Sequence, residues 1–150
     1  MLQRSYQEFL RGQWSVHRDV IDRRSGQSGT FVGRALFEAG DEPGTLRYLE
    51  DGELTFGEHR GPAARRLLYA GRADGAVDVR FPDGRDFYVL DLRNQRWGAD
   101  HLCKDDLYTV TGEVTGPDAF TERWHAGGPA KDYDLITRYT RITTGPPPSA

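Results

Sequence analysis

A single cysteine, Cys103, is all the thiol chemistry this sequence holds. One cysteine closes no internal disulfide and builds no multi-cysteine zinc site, so the chain reads as a protein of a reducing compartment. Long apolar runs are missing as well. No segment approaches the roughly 20 apolar residues that cross a bilayer as a helix, and Met1–Leu10 lacks the apolar stretch of a secretory signal. The expectation is a cytoplasmic protein with no membrane partner. Nor is there an excess of one charge: 20 Lys and Arg oppose 23 Asp and Glu, a formal net charge of −3 that creates no field for phosphate backbones. Nucleic acid is therefore not an expected partner.

Several catalytic signatures are absent too. The chain has no phosphate-cradling glycine loop, no Gly-x-Ser-x-Gly elbow and no Cys-x-x-Cys pair, which removes the usual supports of nucleotide hydrolysis, serine-esterase chemistry and thiol redox. Its four histidines, His17, His59, His101 and His125, stand singly. His101 and Cys103 share one strand face, but two ligands do not make a metal site, so neither metal nor cofactor is expected. A lone axial histidine for haem is the one alternative that this scatter leaves open.

What the sequence has is glycine, 18 residues of it, with aromatics at 11%. That combination suits many short strands joined by tight turns, because glycine supplies the positive φ such turns need. At 150 residues the chain is expected to bury one core as a single domain over 1–144, with 145–150 as a disordered Pro-rich tail. Residues 3–10 space Tyr6, Phe9 and Leu10 by three and four, predicting a two-turn helix that serves as a lid or plug. From Gly12 the period becomes two, with Trp14, Val16, Arg18 and Val20 on one face. A turn at 23–29 leads to a second strand over 30–37, with Phe31, Gly33, Ala35 and Phe37 aligned. Further strands are expected at 45–50, 53–58 and 65–71, with turns at Asp51-Gly52 and Ala73-Asp-Gly75. The hairpin 76–81 and 86–92 about Pro82-Asp-Gly84 follows; residues 93–105 look irregular, and strands resume at 106–114, 119–125 and 133–143. The predicted fold is all-β: an antiparallel up-and-down barrel of about nine or ten strands with a short N-terminal helix.

Gly12-Gln-Trp14 after a short helix, together with Arg141 in the last strand, resembles the signature of lipocalins and the wider calycin group. The resemblance implies that the two ends close the barrel, with Arg141 over Trp14. Secreted members carry a signal peptide and disulfides that this chain lacks, so an intracellular lipocalin-like barrel is the nearer comparison. Phe81–Phe87, His101–Tyr108 and Gly128–Tyr133 are similar to segments of an uncharacterised bacterial family of lipocalin-like domains, a likeness that implies no reaction.

Two segments concentrate reactive side chains. His101–Tyr108 holds an imidazole, a thiol, an ammonium, two carboxylates and a phenol; on a strand, Asp106 and Tyr108 share a face, and His101 entering the same mouth would act as a base beside a phenolic donor. The plainer alternative has Asp105 and Asp106 in a turn and Tyr108 in the wall. The loop before Tyr133 delivers Lys131, an oxyanion partner or a solvated loop lysine. His101, Asp106, Tyr108, Lys131 and Tyr133 are the candidate catalytic residues. Arg18, on a buried face, either anchors an anionic ligand or pairs with Glu50 or Asp91. Arg18, Tyr139, Arg141 and Trp14 are the candidate ligand-binding residues, although the last two are best read as barrel closure through a cation–aromatic contact.

Three functions follow. One is a cofactor-free enzyme doing acid–base work, such as isomerisation, cyclisation or dehydration, on a small carbonyl-containing metabolite. Another is a non-catalytic carrier or sensor of a fatty acid or haem. The third is an interaction domain with a solid barrel, against which the inward Gly33 and Ala35 argue, since they leave space. A small-molecule ligand is the expected partner, and a homodimer is compatible with the sequence.

Overall fold

The computed structural model describes residues 5–143, and every structural statement below concerns those residues. The expected tail at 145–150 lies outside them. The chain opens with helix α1 (Tyr6–Leu10), capped by Ser5, whose Oγ accepts from the Glu8 N–H at 3.2 Å. Ten strands follow: β1 (Gly12–Asp22), β2 (Ser28–Ala39), β3 (Thr45–Phe56), β4 (His59–Gly71), β5 (Val77–Arg80), β6 (Asp86–Leu90), β7 (Arg96–Cys103), β8 (Asp106–Gly116), β9 (Ala119–Gly127) and β10 (Asp132–Arg141).

All pairings are antiparallel, in the order β6-β5-β4-β3-β2-β1-β10-β9-β8-β7. The chain thus meanders up and down, and β1 pairs with β10, setting Trp14 opposite Arg141. The fold is the expected all-β barrel with a short N-terminal helix, nearly closed. Its seam lies between β6 and β7, which are neighbours without sharing a ladder, rather than at the chain ends.

The α1 end is sealed. Phe9 and Leu10 are fully buried, and the Trp14 indole N–H donates to the Leu10 carbonyl at 2.7 Å. The Arg141 guanidinium lies 4.4 Å over the Trp14 ring and donates to the carbonyls of Phe9 and Arg11 and to Asp118. The helix is therefore a plug, tied by one guanidinium that satisfies backbone carbonyls left free by its short length.

Two sequence expectations are corrected. Asp51-Gly52 is not a turn: β3 runs through it, and the reversal comes at Gly57-Glu58. Gly52 faces Gly33 across the ladder, and a Cβ on Gly33 would lie 2.2 Å from the Asp51 carbonyl oxygen. The two glycines permit a close backbone approach at a barrel bend, which composition alone mimics as a turn. The irregular stretch 93–105 contains β7. Its inward residues pass from Trp97 through Ala99 to His101, because the inner face there leaves the packed core for the mouth, and the apolar–polar alternation reverses with Leu102 outside at 71% exposure.

Gly33→Ala is expected to destabilise the fold by about 1–3 kcal/mol, since backbone must move to admit the methyl group. Gly116→Ala, where a Cβ meets nothing within 4 Å, is expected to stay within about 0.5 kcal/mol of the parent. Urea denaturation of the two variants checks this; equal losses contradict the close-approach reading.

Candidate functional site

The end opposite α1 carries the turns at 23–27, Gly57-Glu58, 81–85, Lys104-Asp105 and 128–131. Between them the interior opens into two lobes. One, of about 490 Å³, lies against β1–β4 and is lined by Val20, Phe31, Leu54, Phe56 and Ala63 with Arg18 and Glu50. The other, of about 290 Å³, is lined by Phe81, Phe87, His101, Cys103, Tyr108 and Trp124. Arg65, Tyr133 and Leu135 line both, so the lobes meet at those residues.

The floor is a charged layer. Arg18 forks onto Glu50, with its two terminal nitrogens 2.9 and 2.7 Å from the carboxylate oxygens, while its Nε–H donates to Thr137 at 2.8 Å. Arg18 reaches Glu50 from β1 to β3 across β2, over the small Gly33 and Ala35 and beside the Phe31 ring, 5.1 Å from its guanidinium. Space that reads in the sequence as room in the cavity is filled by this bridge. Tyr48 also donates to Glu50, and its hydroxyl lies 3.3 Å from that of Tyr139. Burial opposes the charge on Glu50, but the Arg18 hydrogen bonds and the positive charge of Arg65 outweigh it, holding the carboxyl at about 2 instead of 4.5.

Arg65, directly across the ladder from Glu50, is placed differently. Its nearest carboxylate oxygen is Glu50 Oε1 at 3.7 Å, an oxygen already engaged by Arg18 and Tyr48, and its Nε has no hydrogen-bond partner. The side chain keeps 31% of its surface accessible inside the barrel mouth. The second interior carboxyl, Glu122, accepts from Tyr88 at 2.8 Å and Trp97 at 3.3 Å, and burial pushes it above the usual carboxylate range.

At the rim, Lys131 donates to the Tyr108 hydroxyl at 2.7 Å and lies 3.1 Å from Asp106. Those two hydrogen bonds raise the Lys131 ammonium above its ordinary value, and burial beside Tyr108 raises the Tyr133 phenol. The cluster is accordingly rich in donors: lysine held protonated, phenol held neutral. His101 stands 6.2 Å from Tyr108 between ring centroids, edge-on to Phe87 at 5.6 Å.

The five candidate catalytic residues thus gather at one rim on β7–β10. His101, Tyr108 and Tyr133 line the cavity, whereas Lys131 and Asp106 back Tyr108 from outside the lining. The candidate ligand-binding set divides. Arg18 lines the larger lobe with each of its three nitrogens bonded to Glu50 or Thr137, while Tyr139 is buried in the floor. Trp14 and Arg141 lie at the sealed end, away from both lobes, where each is engaged with α1 as the closure reading expects. Sequence reasoning missed Arg65, Glu122, Phe87 and Trp124. Arg65 had a signal: Ala63, Arg65, Leu67 and Tyr69 alternate on one face, obscured by the Arg65-Arg66 doublet that puts one guanidinium inside the wall and one outside. Among the described residues no group of three His, Cys, Asp or Glu side chains is placed to hold a metal ion.

A family model, described as a family of unknown function (DUF6314), matches residues 10–141. No curated protein matches the chain. Among solved structures, the S-type phycobiliprotein lyase CPES from Guillardia theta is similar at 10% identity and a TM-score of 0.63, over 95% of this chain and 96% of that one. A de novo designed fluorescence-activating β-barrel is similar at 12% identity and a TM-score of 0.51, over 95% of this chain and 100% of the designed one. At these identities the likeness is one of fold, and it agrees with the lipocalin-like barrel that Gly12-Gln-Trp14 suggests.

The two interior carboxylates are expected to respond oppositely to removal. Glu50, depressed in the fold, contributes stability that is complete above about pH 4.5 and lost as pH falls towards about 2. Glu50→Gln is therefore expected to remove that part of the acid limb and to cost about 3–5 kcal/mol at neutral pH, as breaking a buried pair does. Glu122, raised in the fold, loses stability as pH rises above its unfolded value, so Glu122→Gln is expected to be neutral or stabilising at pH 7. Denaturation at stepped pH reads both; equal losses for the two variants contradict the assignment.

Proposed function

We propose that this chain, which belongs to the DUF6314 family of unknown function, holds a small organic molecule in the two-lobed mouth of its barrel. The observation that carries the reading is the meeting of the two lobes, about 490 and 290 Å³, at Arg65, Tyr133 and Leu135. Concave, mainly apolar spaces of this size with a few convergent polar groups are where small molecules bind. Phe31, Leu54 and Phe56 on one side and Phe87 and Trp124 on the other supply burial, and the hydroxyls of Tyr108 and Tyr133 supply polar contacts at the rim. The same reading takes residues 1–144 as one domain and places the protein in the cytoplasm, in keeping with its free Cys103.

Within the rim cluster Lys131 is kept protonated and Tyr133 is kept neutral, so these two groups act as hydrogen-bond donors to a bound molecule. A second reading, acid–base conversion of the bound molecule, rests on one observation: the Lys131 ammonium 2.7 Å from the Tyr108 hydroxyl is a donor pair suited to a developing oxyanion, with His101 on the same wall.

The uncharged dye Nile red is expected to bind saturably at one site per chain. Ala63→Phe, which fills the larger lobe from its wall, is expected to weaken it by about tenfold or more without lowering Tm. Absence of saturable binding to the parent protein contradicts the proposal. For the second reading, a molecule captured from cell extract and incubated with the protein is expected to elute unchanged in chromatography; a new species formed by the parent but not by Lys131→Met supports turnover instead.

A further inference from the structure

The two guanidiniums near the junction of the lobes are unevenly paired. Arg18 and Arg65 face one carboxylate, Glu50, whose oxygens are taken by the Arg18 fork and the Tyr48 hydroxyl. The other interior carboxyl, Glu122, is bound by Tyr88 and Trp97, lies outside the lining of both lobes, and is pushed by burial towards its neutral form. Arg65 is left with no hydrogen bond on Nε, a carboxylate no nearer than 3.7 Å, and the Tyr48 ring 5.7 Å from its guanidinium. A guanidinium so placed, accessible at the mouth and without a hydrogen-bonded carboxylate of its own, is a ready seat for an anion.

The second feature is the wall beside Arg65. Phe81 stacks on Phe87 at 4.6 Å and Phe87 on Trp124 at 4.9 Å with 9° between the planes, while His101 meets Phe87 edge-on. The lobe against β1–β4 has a different character, with Val20, Leu54 and Ala63 among its lining. Rings pack best on rings, in offset stacks or edge to face. Tyr108 and Tyr133 complete the aromatic lobe at its rim, and Arg65 lines it too.

We propose that the molecule held here is an aromatic carboxylic acid, bound as a monoanion with its ring in the lobe of Phe81, Phe87 and Trp124 and its carboxylate on Arg65. The inference rests on the cavity being a ligand site and adds the chemical class. A planar carboxylate matches the guanidinium fork, and Arg65 offers it one positive charge. The larger lobe remains free for a substituent on the ring or on the carbon bearing the carboxylate.

Anthracene-9-carboxylate and its methyl ester, titrated by fluorescence at pH 7, form a matched pair that differs in the charge. The parent protein is expected to bind the acid at least about tenfold tighter than the ester. Arg65→Met is expected to abolish that preference, and Arg65→Lys to retain part of it, since charge persists without the fork. Circular dichroism and Tm of both variants report whether the fold survives, and the acid-to-ester ratio of the parent needs no variant at all. Equal affinities for acid and ester, or loss of both ligands together in Arg65→Met, overturn the inference. Failure of both probes where Nile red still binds removes the aromatic acid alone; failure of all three removes the ligand site with it.

Discussion

The fork between Arg18 and Glu50 is the interaction on which the interior depends. Two charges taken from water into a barrel cost several kcal/mol each unless geometry and further hydrogen bonds compensate. Here the compensation comes from four strands: Arg18 on β1, Thr137 directly opposite on β10, and Glu50 and Tyr48 on β3, with Gly33 and Ala35 of β2 small enough to pass beneath. A one-residue slip in any of these ladders would turn a member of the set to the outside. The fork therefore fixes register as well as charge.

It also divides the barrel. On the α1 side the interior is solid, with Phe9, Trp14 and Phe120 in mutual ring contact beneath the plug. On the other side packing stops at Arg65 and the lobes begin. Glu50 serves two guanidiniums and satisfies one. The floor of the cavity is consequently polar, while its walls are aromatic and aliphatic.

Much of the architecture was legible because strand alternation survives wherever the inner face is apolar. Trp14, Val16 and Arg18 on β1 and the Pro82-Asp-Gly84 hairpin follow period-two and turn rules directly. The errors at Asp51-Gly52 and in 93–105 have physical causes. Glycine marks both turns and close strand approaches, and the local sequence does not distinguish them until Gly33 is seen opposite Gly52. Alternation likewise fails on β7 because inward residues near the mouth are chosen for the cavity and not for the core. The rim cluster was found since its residues are dense along the chain. Arg65 escaped because its meaning depends on a partner, Glu50, already claimed by Arg18 from a strand 32 residues earlier in the chain than that carboxylate.

Double-mutant cycles between Glu50 and each arginine test the uneven sharing most directly. The Arg18–Glu50 coupling is expected to exceed the Arg65–Glu50 coupling by about 1 kcal/mol or more, since one pair is a two-bond fork and the other a 3.7 Å approach. Equal couplings would mean that Glu50 neutralises both guanidiniums alike, and Arg65 would then have no unmet charge to offer a ligand.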